Sequence, residues 1–146
     1  MKKLKLTAFL SLLLFVSIGC SDDDDTSTQV SNPTEITSTV TDGQWGVTLF
    51  KEDDVVQTSN YSGYSFTFEA NGELSATNGV ITQSGDWSTY TDSGYTKLDM
   101  MFTALDGPFE EISEDWRVIS RTETKIELKH VSGGDGSIDY LTFEKD

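Results

Sequence analysis

Two residue types that often carry catalysis or bind metals occur once each in this chain. His130 is the only histidine and Cys20 is the only cysteine among 146 residues. A Cys–His nucleophile pair or a Cys/His zinc site needs at least two such residues close together, and a disulfide needs a second cysteine. We therefore predict no metal site and no intrachain disulfide. His130 is expected at the rim of the domain, near the end of a strand.

Carboxylates offer another route to chemistry. Four acidic residues cluster just before Trp116: Glu110, Glu111, Glu114 and Asp115. A glycosidase needs two carboxyl groups roughly 5–9.5 Å apart, but 25 of the 146 residues are acidic, so neighbouring acids arise by chance. The sequence lacks the G-x-S-x-G elbow of serine hydrolases, the G-x-G-x-x-G dinucleotide fingerprint and the P-loop. We predict that the protein is not an enzyme and has no cofactor.

The first twenty residues are organised like a secretory signal. Three lysines among the first five residues precede an uncharged, mostly apolar stretch, 7–18, which is too short to cross a ~30 Å hydrocarbon core. Cys20 follows the small residue Gly19, and this junction resembles the lipobox of bacterial lipoproteins. The resemblance implies a signal peptide over 1–19, cleavage before Cys20 and anchoring in a membrane through lipid on that cysteine.

The next segment, 20–42, is rich in Ser, Thr and Asp and has no aromatic residue. Because such a composition cannot bury enough surface to offset the entropy of ordering, we predict a disordered tether. Its first residues resemble the acidic export signal of surface lipoproteins in Bacteroidetes, which implies an outer-membrane lipoprotein displayed on the cell surface. The other interpretation is a solvated spacer. The residues concerned follow Cys20 directly: Ser21, Asp22, Asp23, Asp24 and Asp25.

The charge of the chain excludes one class of partner. Its formal net charge is −15 at pH 7. Proteins bind the phosphates of nucleic acids through lysine and arginine. We therefore predict no nucleic-acid partner.

Beyond residue 42 the hydrophobic pattern has a period of two, which is typical of β-strands. The run 64–68 alternates aromatic and hydroxyl side chains, and Asn71-Gly72 supplies the residues of a tight turn. We also predict that Trp45, Val47 and Leu49 share one face. Short strands with Gly-rich turns indicate a sandwich or a closed barrel. The predicted strands are 45–50, 63–69, 73–77, 85–90, 95–102, 115–120, 124–131 and 138–144, with one helical turn over 106–112.

Several motifs follow one another in the order seen in a known family. Gly43-Gln44-Trp45 opens the first strand, Gly85-Asp86-Trp87 opens a middle one, and the strings LDMMF, DWRVIS and IELK follow. Over 43–146 the chain resembles the lipocalin-like lipoproteins. The resemblance implies an all-β domain, namely a small antiparallel up-and-down barrel of about eight strands that serves in binding.

The inward side chains of such a barrel form either a packed core or a ligand cup, because eight strands enclose space for side chains or for one small ligand. The predicted function is a non-enzymatic binding module for a small hydrophobic ligand; the alternative is a structural or accessory envelope protein whose filled barrel contacts a protein or polysaccharide. In the second case exposed Tyr61, Tyr90 and Tyr95 could stack on sugars. The residues of the cup or core are Trp45, Tyr64, Phe66, Phe68, Trp87, Met100, Phe102, Trp116 and His130.

Overall fold

A computed structural model describes residues 31–146. The predictions for the signal peptide, Cys20 and the acidic run 21–25 lie outside the described residues. Two short helices are present in the described part, α1 (Pro33–Val40) and α2 (Pro108–Glu111), with a 3-10 turn at Thr58–Tyr61. The strands are β1 (Trp45–Glu52), β2 (Val55–Val56), β3 (Ser65–Phe68), β4 (Glu73–Thr77), β5 (Thr82–Asp92), β6 (Tyr95–Phe102), β7 (Asp115–Arg121), β8 (Lys125–Val131) and β9 (Ile138–Lys145).

The strands form one antiparallel sheet that closes on itself. Each strand from β3 to β8 pairs with the next along the chain, while β1 pairs with β3 on one side and with β9 on the other. The two-residue β2 is an addition at the end of β1. Closure leaves the eight main strands without a free edge. The predicted all-β, eight-stranded up-and-down barrel is confirmed.

A β-bulge in β1 changes which side chains face inward. The register of β1 against β9 shifts between Val47 and Leu49. An extra residue breaks the strict alternation of a strand, so Trp45 and Phe50 are both buried although they are five positions apart. The prediction that Leu49 shares the inner face with Trp45 is wrong. Leu49 lies opposite Thr142, and Phe50 takes the inward position.

Residues 31–42 are folded, so the prediction of a disordered tether is wrong for this part of it. Asn32 and Glu35 form a capping box at the start of α1, with hydrogen bonds of 3.0 and 3.1 Å between side chain and backbone in both directions. Ile36 and Val40, one helical turn apart, are buried in the core cluster. This burial supplies the free energy that the segment lacks in isolation.

The two helices lie at opposite ends of the barrel. α1 precedes β1, whereas α2 follows β6, which runs in the same direction as β1. Phe109 in α2 and Ile112 just after it are buried, which agrees with the helical turn predicted over 106–112. Within residues 31–146, neither helix has the length and apolar character needed to cross a membrane.

Candidate functional site

The residues predicted as a cup or core line the inside of the barrel. The Trp87 ring is 7% exposed, and its Nε1 donates to the carbonyl of Glu69 at 2.9 Å. Tyr64 is half-buried against the core, and the half-buried His130 lies near the end of β8. The other six are at most 3% exposed: Trp45, Phe66, Phe68, Met100, Phe102 and Trp116.

Aromatic rings fill the interior by packing against one another. The Phe66 ring centroid lies 5.1 Å from that of Phe143 and 6.1 Å from that of Phe102. Phe109, which α2 supplies, lies 5.0 Å from Phe102 and 5.0 Å from Tyr64. These are the spacings of packed aromatic pairs. The rings therefore occupy the space that a ligand cup would need.

His130 lies at the α2 end of the barrel beside two carboxylates. Its Nδ1 is 3.5 Å from Oε2 of Glu114 and 4.0 Å from Oδ1 of Asp115, while its ring packs edge-on against Trp116. The imidazole nitrogen and one oxygen from each acid lie within 4.8 Å of one another, a donor set compatible with a divalent metal ion. Oδ2 of Asp115 is already 2.9 Å from Nζ of Lys97. The structure thus places His130 beside Asp115, which forms an ion pair with Lys97.

The remaining acids of the predicted cluster have a different environment. Burial raises the pKa of Glu111, and the neighbouring carboxylates of Glu52 and Glu110 add to this effect. The Tyr61 hydroxyl at the same end donates to the carbonyl of Pro108, and burial raises its pKa as well. The prediction that Tyr61 is exposed is wrong, because its side chain is buried. The acidic cluster is therefore divided: Glu114 and Asp115 lie beside His130, whereas Glu111 lies near Glu52 and Glu110.

The outer face of the barrel carries a row of tyrosine and basic side chains, which we call the cationic row. Directly opposite residues in neighbouring strands share one face of a sheet. Leu98, Trp116 and Leu128, which are the chain neighbours of row members, are buried, so the row itself faces outward. Row members follow one another through successive ladders in the order Tyr90, Lys97, Arg117, Lys129, Tyr140 and Lys51.

Charge in the cationic row is only partly compensated. Lys97 pairs with Asp115, and Lys51 pairs with Asp54 at 2.6 Å. The ion pairs formed within residues 31–146 include neither Arg117 nor Lys129. These two basic residues lie directly opposite each other in the β7–β8 ladder.

A groove of about 430 Å³ opens beside Arg117 and Lys129. The β6–β7 ladder ends where Lys97 lies opposite Arg117. Beyond this pair β6 and β7 have no further ladder partners, and residues of both strands line the groove there. Its volume is within the usual range for small-ligand sites. The polar and apolar side chains that line it include Tyr95, Thr96, Arg117, Ile119, Lys129 and Tyr140.

Among the comparisons with known proteins, one solved structure has a similar fold. No family model matches the chain. No curated protein matches it either. The crystal structure of a DUF4847 family protein from Bacteroides vulgatus is similar, with a TM-score of 0.51 and 14% sequence identity, over 76% of this chain and 97% of that one. At such low identity the similarity concerns the fold alone, and a barrel of this kind is compatible with a binding or accessory module.

Sequence reasoning missed the cationic row and the groove. Alternation identifies the outward residues of each strand, but ladder register decides which of them become neighbours across strands. Lys97, Arg117 and Lys129 belong to three different strands. One signal was available, because these three and Lys51 make up four of only seven basic residues that follow residue 30.

Proposed function

We propose that this protein is a non-enzymatic accessory lipoprotein of the bacterial outer membrane. It is anchored through Cys20 and displayed on the cell surface, and its filled barrel presents its outer surface to a protein or polysaccharide of the envelope. The observation that carries the proposal is the packed interior, in which twenty buried apolar residues form one cluster. A barrel whose interior is filled by side chains has its outer wall and its loops available for a partner.

The position of α1 supports an anchored orientation. The lipid site Cys20 precedes Ser31 by eleven positions. A chain of eleven residues spans at most about 40 Å when fully extended. Thr96 donates to the Ser31 carbonyl, and Nη1 of Arg121 donates to Oγ1 of Thr39 at 2.9 Å, so the start of the folded part is fastened to the barrel. In an anchored protein the α1 end of the barrel thereby lies within about 40 Å of the lipid site.

Anchoring is tested by replacing Cys20 with alanine. We expect Cys20→Ala to move the protein from the membrane fraction to the soluble fraction, because stable anchoring requires attached acyl chains. The measurement is an immunoblot of fractionated cells. Ser21→Ala, which retains the cysteine, is the matched control and should stay in the membrane. A Cys20→Ala protein that remains membrane-bound would contradict the lipid anchor.

Carriage of a small hydrophobic ligand is the alternative function, and it needs space inside the barrel. Because the rings of Phe66, Phe102 and Phe109 pack on one another there, we expect no saturable binding of a fluorescent fatty-acid analogue at micromolar concentrations. Native mass spectrometry of the purified protein should likewise show no co-purified small molecule. Serum albumin, which takes up the analogue, is the positive control. Saturable uptake by this protein would overturn the filled-barrel function.

A further inference from the structure

Arg117 and Lys129 form a like-charge pair that no ion pair within residues 31–146 compensates. Like charges directly opposite each other in neighbouring strands destabilise a sheet. The chain has 25 acidic residues and 10 basic ones, so carboxylates are abundant, yet the ion pairs of the described part leave these two cations out. An anion placed between the guanidinium and the ammonium would turn this repulsion into attraction.

The guanidinium of Arg117 is already oriented for such an anion. Its central carbon lies 3.3 Å from the centroid of the Tyr95 ring. Stacking on the ring uses the flat face of the guanidinium and leaves its N–H donors free in the plane, where they match the two oxygens of a carboxylate or sulfate. Lys129, opposite in the ladder, adds a second positive charge.

The tyrosine and threonine side chains of the groove indicate that the anionic group belongs to a saccharide. Tyr95 and Tyr140 both line the groove; Tyr95 is 41% exposed and has the Arg117 guanidinium on one ring face, and Tyr140 is half-buried with Nζ of Lys51 5.7 Å from its ring centroid. Phenol and threonine hydroxyls donate and accept hydrogen bonds as sugar hydroxyls do. A concave site of about 430 Å³ suits a small ligand, whereas a stable protein interface needs a much larger area of roughly 800 Å² on each partner.

We infer that this groove binds an acidic saccharide, with the carboxylate or sulfate group between Arg117 and Lys129 and a sugar ring against Tyr95 or Tyr140. This inference rests on the proposed function, since it names the class of envelope polysaccharide that the outer surface contacts. No bond is made or broken.

The test uses the full-length protein in neutral detergent and isothermal titration calorimetry with trigalacturonate at low salt. The matched ligand is its methyl ester, which has the same rings without the charges. We expect trigalacturonate to bind and its ester not to bind.

The double variant R117Q/K129M should bind trigalacturonate at least about tenfold more weakly than the wild type does, because two charged hydrogen-bonding groups are lost. Lys125→Met is the control variant, because it removes a positive charge from the same strand at a position outside the groove, and should bind like the wild type.

Three results would overturn the inference: no binding of trigalacturonate, equal binding of the ester, or unchanged affinity in R117Q/K129M. Tighter binding of a hexa-aspartate peptide than of trigalacturonate would also overturn it, and would assign the groove to an acidic protein. Amide chemical shifts of the wild type provide a test that does not depend on whether a variant folds. Trigalacturonate should perturb the shifts of residues 94–96, 117–119 and 140. The proposed function fails separately, through uptake of the fatty-acid analogue.

Discussion

Replacing Gly85 with alanine is expected to lower the free energy of unfolding by about 3 kcal/mol, at the upper end of what overpacking usually costs. A Cβ atom on Gly85 would lie 2.3 Å from the carbonyl oxygen of Met101 and 2.7 Å from Cα of Phe102. Both contacts are with backbone, which cannot rotate away. Gly85 pairs with Phe102 on one side and with Leu74 on the other, so β5 is held between two ladders.

The measurement is urea unfolding followed by tryptophan fluorescence. Gly134→Ala is the matched control, because a Cβ there would meet nothing within 4 Å, and we expect its midpoint to stay close to that of the wild type. Equal midpoints for Gly85→Ala and the wild type would show that β5 and β6 separate at little cost. A glycine in a strand often marks such a close approach of two backbones.

Replacing Trp45 with alanine is expected to cost about 3–5 kcal/mol, as is usual for a buried tryptophan. Trp45 is fully buried in the core, and its Nε1 donates to the carbonyl of Val40 at 2.9 Å. The substitution therefore leaves a cavity in the barrel and also removes the hydrogen bond that fastens the end of α1. We expect α1 to loosen together with the loss of overall stability.

Two measurements test this prediction. Urea unfolding gives the change in stability, and limited proteolysis reports whether cleavage within α1 becomes faster. Tyr90→Ala is the control, because Tyr90 is 39% exposed and its removal is expected to cost no more than about 0.5 kcal/mol. If Trp45→Ala unfolds at the same urea concentration as Tyr90→Ala, the interior is not the packed core described above.

Much of the barrel could be predicted from local pattern. Met100 and Phe102, two positions apart on β6, were predicted for the cup or core and are both buried. Asn71-Gly72 correctly marked the turn between β3 and β4. Such features are local, because successive side chains of a strand point to opposite faces whatever the strand pairs with.

The errors have identifiable physical causes. A bulge depends on the partner strand, so the change of face between Val47 and Phe50 has no signature in the residues of β1 alone. Similarly, α1 contains Pro33 and a capping box within a segment of low hydrophobicity. Its order comes from the burial of Ile36 and Val40 against residues far away in the chain.

Taken by itself, the sequence determined the all-β class, the positions of the eight main strands and most of the inward side chains. The reason is that the alternation of apolar and polar side chains along a strand is a local property of the chain. It also specified the lone Cys20 that the anchoring hypothesis depends on. Only the tertiary structure decided that the rings fill the barrel, that residues 31–42 fold onto it, and that Arg117 faces Lys129 beside a groove. These depend on register and closure, which bring together residues from separate strands.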